Sequence, residues 1–534
     1  MSRSRLLNDS DDTRSNLSTF PTSNFPNVTS STSSHLNRDT ITPQILQKGA
    51  GAGAITAFAF TLNYIFGAGV LSLPYTVARA GVIGSAVFML FTALISSLSM
   101  VWLVEVCGRA EAITRYVEEL RIEQKSDSPL RTQIIADRLE IQGKDLFRIS
   151  SRRLEMNQIS SLFLGYWPSW LYSTSVIFYA LGSMWFYAVI FARSLTETVP
   201  LSMFVDSGDH CDLSVPLYET TKECYHNYFF YLGIFLILTM FLSLFELAEQ
   251  KKLQNSLSIM AMTCIFIMII TLVVEAIQHP YIAGNDNRTT PTTPTAPSSS
   301  SLPSPLTTPL LRGYEPPVIG ISIKDFGDAF MNFVLAFMAH HGVPGLIQLM
   351  ENKKQAPKVF VSAMCVSCSI YLVLGSIAAL YFGLGKDGIK SLITLDWYNF
   401  NGSSNPLSDG NVFTKSISYI VRLYPCVSVI AAFVLNADTL GSAMRVMLFS
   451  NPESQTLKVA SRWVIVWISI SCAALMTKIA VIVSICGLAG VNLVMVFPSL
   501  LQIYSKKRCY ELFERHATPY TGFFSADVYP YLML

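Results

Sequence analysis

The chain has 534 residues, 51% of them hydrophobic and only 14% charged, with a mean hydropathy of +0.41. Soluble domains carry about a quarter charged residues, so long runs almost free of charge exclude an ordinary soluble fold. The net charge of +2 is small, and no basic stripe interleaved with aromatics points to nucleic acid. The chain reads as an all-α integral membrane protein, with the lipid bilayer as its first partner.

The first 48 residues are rich in Ser, Thr, Asn and Asp and hold no apolar stretch of the kind a cleaved signal needs. The first membrane span must therefore direct insertion. Ten spans follow, at 50–76, 82–106, 169–195, 227–247, 256–278, 326–349, 358–384, 413–447, 460–477 and 479–504. Each is long enough for a hydrocarbon core of about 30 Å, which needs roughly 20 residues. The eighth is over-long, and the last two are separated only by a hinge near Lys478.

Lys and Arg in the loops set the orientation. The N-terminal tail, the 107–168 loop, Lys251-Lys252, Lys353-Lys354, Lys358, Lys458, Arg462 and Lys506-Lys507-Arg508 fall on one side, which is assigned to the cytosol. The opposite loops hold scattered cations such as Arg79, Lys222, Arg288, Lys386 and Lys390. Two glycosylation sequons, at Asn287 and Asn401, lie in the expected lumenal loops. Those at Asn8, Asn16 and Asn27 would stay unused in a cytosolic tail. Cys211 and Cys224 share the loop between spans three and four, where an oxidising compartment permits a disulfide. The other eight cysteines, including Cys365 and Cys368, read as small apolar fillers.

The 107–168 loop carries Ile134, Ile135, Leu139 and Ile141 at helical spacing and reads as a surface-lying or packed helix. The 279–325 loop is rich in Pro, Thr and Ser, and its 284–313 stretch is compositionally disordered. The expected organisation is a cytosolic tail (1–48), a membrane domain (49–505) and a C-terminal tail (506–534).

Two spans are broken by glycine and proline at matching places, five spans apart. The first contains Gly67-Ala68-Gly69-Val70 and Pro74; the sixth contains His340-His341-Gly342-Val343-Pro344-Gly345. Backbone that leaves the helix at membrane depth survives only where it is buried or lines a cavity. Matched interruptions in two halves point to a transporter's binding site. Asn63 to Gly81 (N-Y-I-F-G-A-G-V-L-S-L-P-Y-T-V-A-R-A-G) resembles the first-helix signature of the amino acid/auxin permease family, close to the sodium-coupled neutral amino acid transporters. Phe333 to Leu346, with Ala336-Phe337 and His340, is similar to that family's sixth helix. Lys251-Lys252-Leu253 and Val421-Arg422-Leu423 are also similar.

The resemblance covers about residues 50–505 and implies a LeuT-like fold of two inverted five-helix repeats. Substrate would sit near the midplane between helices one and six and move with sodium or protons. An eleventh helix is usual in the family, but 506–534 is too short and polar to supply one. No cofactor is implied beyond the coupling ion, Na+ or H+, and the transport unit is expected to be a monomer. Plasma membrane and lysosomal or vacuolar membrane both fit.

Zwitterions need a partner for each charge in a dry midplane. The substrate carboxylate is assigned to backbone N–H groups around Gly67, Ala68 and Gly69 and to the dipole of a half-helix starting near Val70. The ammonium is assigned to carbonyls around Phe337 to His340. His340 and His341 are ionisable groups inside the bilayer and so candidates for proton relay or pocket lining. A neutral histidine bonded to a neighbouring helix is the competing reading. For sodium, Asn63 offers an amide oxygen one turn below the break, and the resemblance implicates this position in the ion site. Ser428, or Thr439, would supply the oxygen from span eight. Helix–helix packing is the alternative for both. Arg422, Asp438 and Arg445 read as a gate or a buried pair.

The function expected is secondary active transport of small neutral amino acids by alternating access. A membrane amino acid sensor or scaffold with little flux is the alternative. No HExxH, nucleophile–base pair or embedded carboxylate pair suggests an enzyme, and Gly67-Ala68-Gly69 is no dinucleotide fingerprint.

Overall fold

The computed structural model describes residues 53–124, 146–150, 154–199, 201, 222–245, 251–278, 314–315, 317–385, 388–400, 412–448 and 455–534. The 1–48 tail, the 134–141 stretch, the 284–313 loop, Cys211, Asn287 and Asn401 lie outside the described residues. Among the described residues nine helices are long and apolar enough to cross a membrane, and a bent helix makes ten. The chain is an all-α membrane protein; its only strands among these residues are two-residue pieces, Tyr314–Glu315 against Leu384–Gly385.

The first span is α1 (Ala54–Ala80), and the second is α2 (Val82–Gln124). A short α3 (Met156–Leu164) leads into the third span, α4 (Tyr166–Thr198). The fourth and fifth spans are α5 (Lys222–Leu242) and α6 (Lys251–Gln278). The sixth span is split into α7 (Phe326–Ala336) and α8 (Val343–Leu349). Then come α9 (Ala356–Phe382), α10 (Val412–Leu448) and α11 (Gln455–Leu475) as spans seven to nine. The tenth span joins α12 (Ile479–Val491) to α13 (Phe497–Phe513) through a π turn at Asn492–Val496. Pro498 has no N–H to offer the Val494 carbonyl, which favours that local unwinding. The tail ends in α14 (Val528–Met533).

The helix that carries the second span does not stop with the apolar run at residue 106 but continues to Gln124. Charges there pair along the helix, Glu105 with Arg109 at 2.8 Å and Glu111 with Arg115 at 3.1 Å. Such i,i+4 pairing lets the helix continue where isolated charges would signal its exit.

The third span packs along the eighth, the first along the sixth and seventh, and the second along the seventh. The fifth lies on the first and eighth, and the tenth on the sixth and third; the fourth rests on the third, and the ninth on the eighth. Apolar side chains facing inward form one continuous core. Ile237, Ile259, Trp167, Leu475 and Leu488 stay exposed on the outer surface, as side chains that meet lipid should.

At one end, residues 317–322 close over the first two spans. Gly81 ends α1 at φ 104°, where an added Cβ would lie 2.1 Å from the Gly320 carbonyl, so only glycine fits. The N–H groups of Val82, Ile83 and Gly84 donate to the carbonyls of Val318, Ile319 and Gly320 at 2.9, 3.0 and 3.2 Å. These are donors that a helix N-terminus cannot satisfy internally. Val318 and Ser322 donate back to Ala78 and Ala80, and Arg79 pairs with Asp325. Ser72 Oγ donates to Asn332 Oδ1 at 3.1 Å, and Asn332 Nδ2 bonds Thr76 Oγ1, so α1 and α7 are tied side by side.

Candidate functional site

The break in the sixth span lies in the middle of the bundle. Residues 337–339 leave the helix, His340–Gly342 form a 3-10 turn, and α8 restarts with Pro344 in its first turn. Proline cannot donate to the His340 carbonyl but suits a helix start. Both imidazoles are buried, His340 at 1% and His341 at 4% exposure. His340 reaches the second span: its Nε2 lies 3.2 Å from the Ser96 carbonyl and 2.6 Å from Ser99 Oγ. A carbonyl only accepts, so Nε2 carries the hydrogen. His341 reaches the eighth span, with Nε2 donating to Asn436 Oδ1 at 3.0 Å. Its ring sits 5.5 Å from that of Tyr64 on the first span and 5.1 Å from that of Tyr179 on the third. The Nδ1 atoms of both rings are buried with no hydrogen-bond partner. Two acceptor lone pairs thus have no partner among the protein's groups, beside the π turn of the tenth span.

The first span, α1, is interrupted where the sequence marks it: its two parts, Ala54–Gly67 and Gly69–Ala80, meet at a bend of 46°. The two glycines serve close packing. A Cβ on Gly67 would lie 2.6 Å from Ala432 Cβ and 2.9 Å from Tyr187 Oη; one on Gly69 would lie 2.6 Å from Tyr371 Oη and 2.7 Å from Ala336 Cβ. Tyr371, on the seventh span, donates its hydroxyl to the Ile65 carbonyl at 2.8 Å, with the Ala336 carbonyl at 3.3 Å. It thus joins the bend of the first span to the end of α7. Its ring also stacks edge-on against Phe66 and Phe337. Val70 and Phe337 are fully buried; Ala68 lies at the bend.

The expected sodium ligands all lie along the contact of the first span with the fifth and eighth. Asn63 Nδ2 donates to the Gln254 carbonyl (3.0 Å) and to Gln254 Oε1 (2.9 Å), tying the first span to the fifth. Gln254 in turn reaches the Ala431 carbonyl on the eighth span at 3.4 Å. Ser428 is buried one turn before Ala431. Thr439 lies on the other side of Asn436 and shares a 3.1 Å hydrogen bond with Tyr64. Each of the three charged residues of span eight reaches a partner on another span. Asp438 pairs with Arg462 of the ninth span, Arg445 donates to Ser442 and Ser461, and Arg422 donates to the Glu197 carbonyl at 2.6 Å under the Tyr398 ring. Cys224 in α5 is disulfide-bonded, while its expected partner Cys211 lies outside the described residues.

Several residues at this crossing escaped the sequence reading: Tyr371, Asn436, Ser99, Tyr64 and Tyr179. Asn436 and Tyr371 each interrupt a strongly apolar run, which was the available signal. A second polar centre was also missed. Glu105 and Arg109 are fully buried at the end of the second span. Arg109 also donates to Gln502 (2.8 Å), Ser505 (3.1 Å) and the His516 carbonyl (3.0 Å). Ser525 bonds Glu105, Lys506 bonds Asp527 at 2.6 Å, and Trp102 Nε1 donates to the Phe524 carbonyl at 2.9 Å. The C-terminal tail is thereby fastened to the second and tenth spans.

The family model described as transmembrane amino acid transporter protein matches residues 50–524, nearly all of this bundle. The chain belongs to that family. Among its relatives is a Drosophila melanogaster protein named transmembrane protein 104 homolog, 22% identical over 489 residues, covering 86% of this chain and 89% of the relative. A Dictyostelium discoideum protein of the same name is 22% identical over 501 residues, covering 85% and 88%. A Caenorhabditis elegans homolog is 23% identical over 392 residues, covering 71% of this chain and 66% of that relative. Membership of the transporter family matches the expected class, and the crossing of spans one, six and eight lies within the matched region.

Proposed function

We propose that the chain is a secondary active transporter that carries small neutral amino acids by alternating access, coupled to protons bound at the histidine pair. The observation that carries this reading is the pair of buried imidazoles at the break, each with Nε2 committed to a neighbouring helix and Nδ1 without a partner. Such an atom can accept a hydrogen from a substrate ammonium, or a proton that enters with the substrate carboxylate. Neutral substrates suit the site, because among the described residues no carboxylate is hydrogen-bonded to either ring. Sodium at Asn63 is the second reading: Nδ2 is bonded to Gln254, and Oδ1 is the atom that would ligate the ion.

A LeuT-like arrangement of two inverted five-helix repeats is part of the same proposal. Several helix contacts of the first half recur between their counterparts five spans later. The third rests on the eighth, the first on the sixth and the second on the seventh; three-on-four repeats as eight-on-nine. The fifth touches the first and eighth, as the tenth touches the sixth and third. Five helices per half invert the second copy. The disulfide-bonded Cys224 supports placing that end of the fourth span in the oxidising compartment. One proton moved down 100 mV yields about 2.3 kcal/mol, roughly fifty-fold in substrate gradient.

Proteoliposome uptake of an amino acid panel, with sodium and pH gradients imposed separately, tests the reading. Uptake should follow the pH gradient and be lost in His341→Gln. Uptake driven by sodium alone, weakened by Asn63→Ala and unchanged in His341→Gln, would reject proton coupling. Substrate binding without flux would replace the transporter by a sensor.

A further inference from the structure

A second site lies away from the histidine pair. A cavity of about 790 Å³ opens where the second, sixth and seventh spans end, within the usual ligand-pocket range of about 300–1,000 Å³. Its walls bring together Arg115 from α2, Arg148 from the 146–150 segment, Lys353 and Lys354 from the turn before α9, and one carboxylate, Glu351. Even with Glu111 beside Arg115, cations outnumber carboxylates four to two among the described residues. Several of the bonds around them fix position without cancelling charge. Arg115 donates to the Arg148 carbonyl at 3.0 Å, and Lys353 donates to Gln348 Oε1 at 2.8 Å and to the Ser150 carbonyl. Lys354 and Arg148 are exposed at the rim.

Depth identifies the kind of anion. Arg115 lies on α2 beyond the apolar run that closes near residue 106, α8 of the sixth span ends at Leu349, and the turn that leads into the seventh begins at Lys353. These ends mark the level at which helices leave hydrocarbon for the headgroup layer. Basic pockets between helices at that level recognise phosphorylated headgroups, and guanidinium forks fit phosphate oxygens in pairs. We propose that this cavity binds a multiply charged phosphomonoester anion, carried either on the inositol ring of a membrane lipid or on the same ring free in solution. The ligand would bridge α2, the 146–150 segment and the start of α9. Through Gln348 and Lys353 it would also hold the far end of α8, the short half-helix that begins at the histidine turn.

The test uses the full purified chain in micelles, so it does not depend on transport. The probes are dioctanoyl phosphatidylinositol bisphosphate, inositol trisphosphate and dioctanoyl phosphatidylserine, read by direct titration and by thermal unfolding. The bisphosphate lipid should bind, and Arg148→Ala with Lys354→Ala should weaken it by about tenfold or more. Lys354→Glu alone should weaken it in the same direction. Binding of the lipid but not of inositol trisphosphate assigns the site to the membrane; equal binding of both assigns it to a soluble phosphate. No binding by either, undiminished binding by the double variant, or equal binding of phosphatidylserine overturns the proposal.

Discussion

Gly69→Ala separates tight packing from an open site at the bend of the first span. The added methyl would stand 2.6 Å from Tyr371 Oη and 2.7 Å from Ala336 Cβ, and neither neighbour is the end of a flexible chain. Tyr371 is held through its hydroxyl to Ile65, and Ala336 closes α7. Overpacking of this kind costs about 1–3 kcal/mol, and two contacts under 3 Å put this site near the upper end. Replacing a helical glycine by alanine returns about 1 kcal/mol. The net is a loss of about 2 kcal/mol, roughly a thirty-fold shift in the unfolding equilibrium. Thermal unfolding of the purified protein in detergent reads this directly, beside uptake in proteoliposomes. Gly233→Ala is the control, since a Cβ there meets nothing within 4 Å; it should be neutral or slightly stabilising. If Gly69→Ala unfolds like the wild type and loses only uptake, the first span faces an open cavity at that point and the packing argument fails.

Tyr371→Phe removes the hydroxyl shared by the Ile65 and Ala336 carbonyls and should cost about 1 kcal/mol; a wild-type unfolding temperature would show that the bridge does not stabilise the bend. Glu105→Gln leaves Arg109 buried beside a neutral partner and should cost about 3–5 kcal/mol. It should also free residues after Phe513 for limited proteolysis, and a tail that stays protected counts against its fastening by Glu105. Burial of the loop around Asp396 pushes its carboxyl up to about 8, with the Lys390 N–H opposing the shift. The unfolded carboxyl gives up its proton near 3.8 and the folded one near 8, so stability falls as pH rises across that window and levels off above it. Asp396→Asn should flatten this slope between those values; parallel wild-type and variant curves would refute the assignment.

The spans were legible because hydrophobic runs long enough to cross a bilayer leave few alternatives. Their ends were less so. Glu105, Arg109, Glu111 and Arg115 read as an exit from the membrane, yet they pair along α2 or against the tail and keep the helix going. The histidine pair and the sixth-span break were visible in Pro344 and the adjacent glycines. The bend at Gly67–Gly69 was visible as a weak point, but its form depends on Tyr371, Tyr187 and Ala432, which approach from other spans. Asn436 and Ser99 were missed for a related reason: one polar residue in an apolar helix has no period, and its partner is set only when helices dock. Asn63 showed the opposite difficulty, since its bonding to Gln254 spans 191 positions of sequence.

The seam between residues 317–322 and the junction of α1 and α2 has a mechanical corollary. Backbone bonds, the Arg79–Asp325 pair and the Asn332 links weld this end of three spans into a single lid. Two of the joined spans change direction farther along, the first at the Gly67–Gly69 bend and the sixth at the His340–Gly342 turn, while α2 continues as an unbroken helix. Both imidazoles therefore lie at the first place where α7, held at this seam, gives way to a turn.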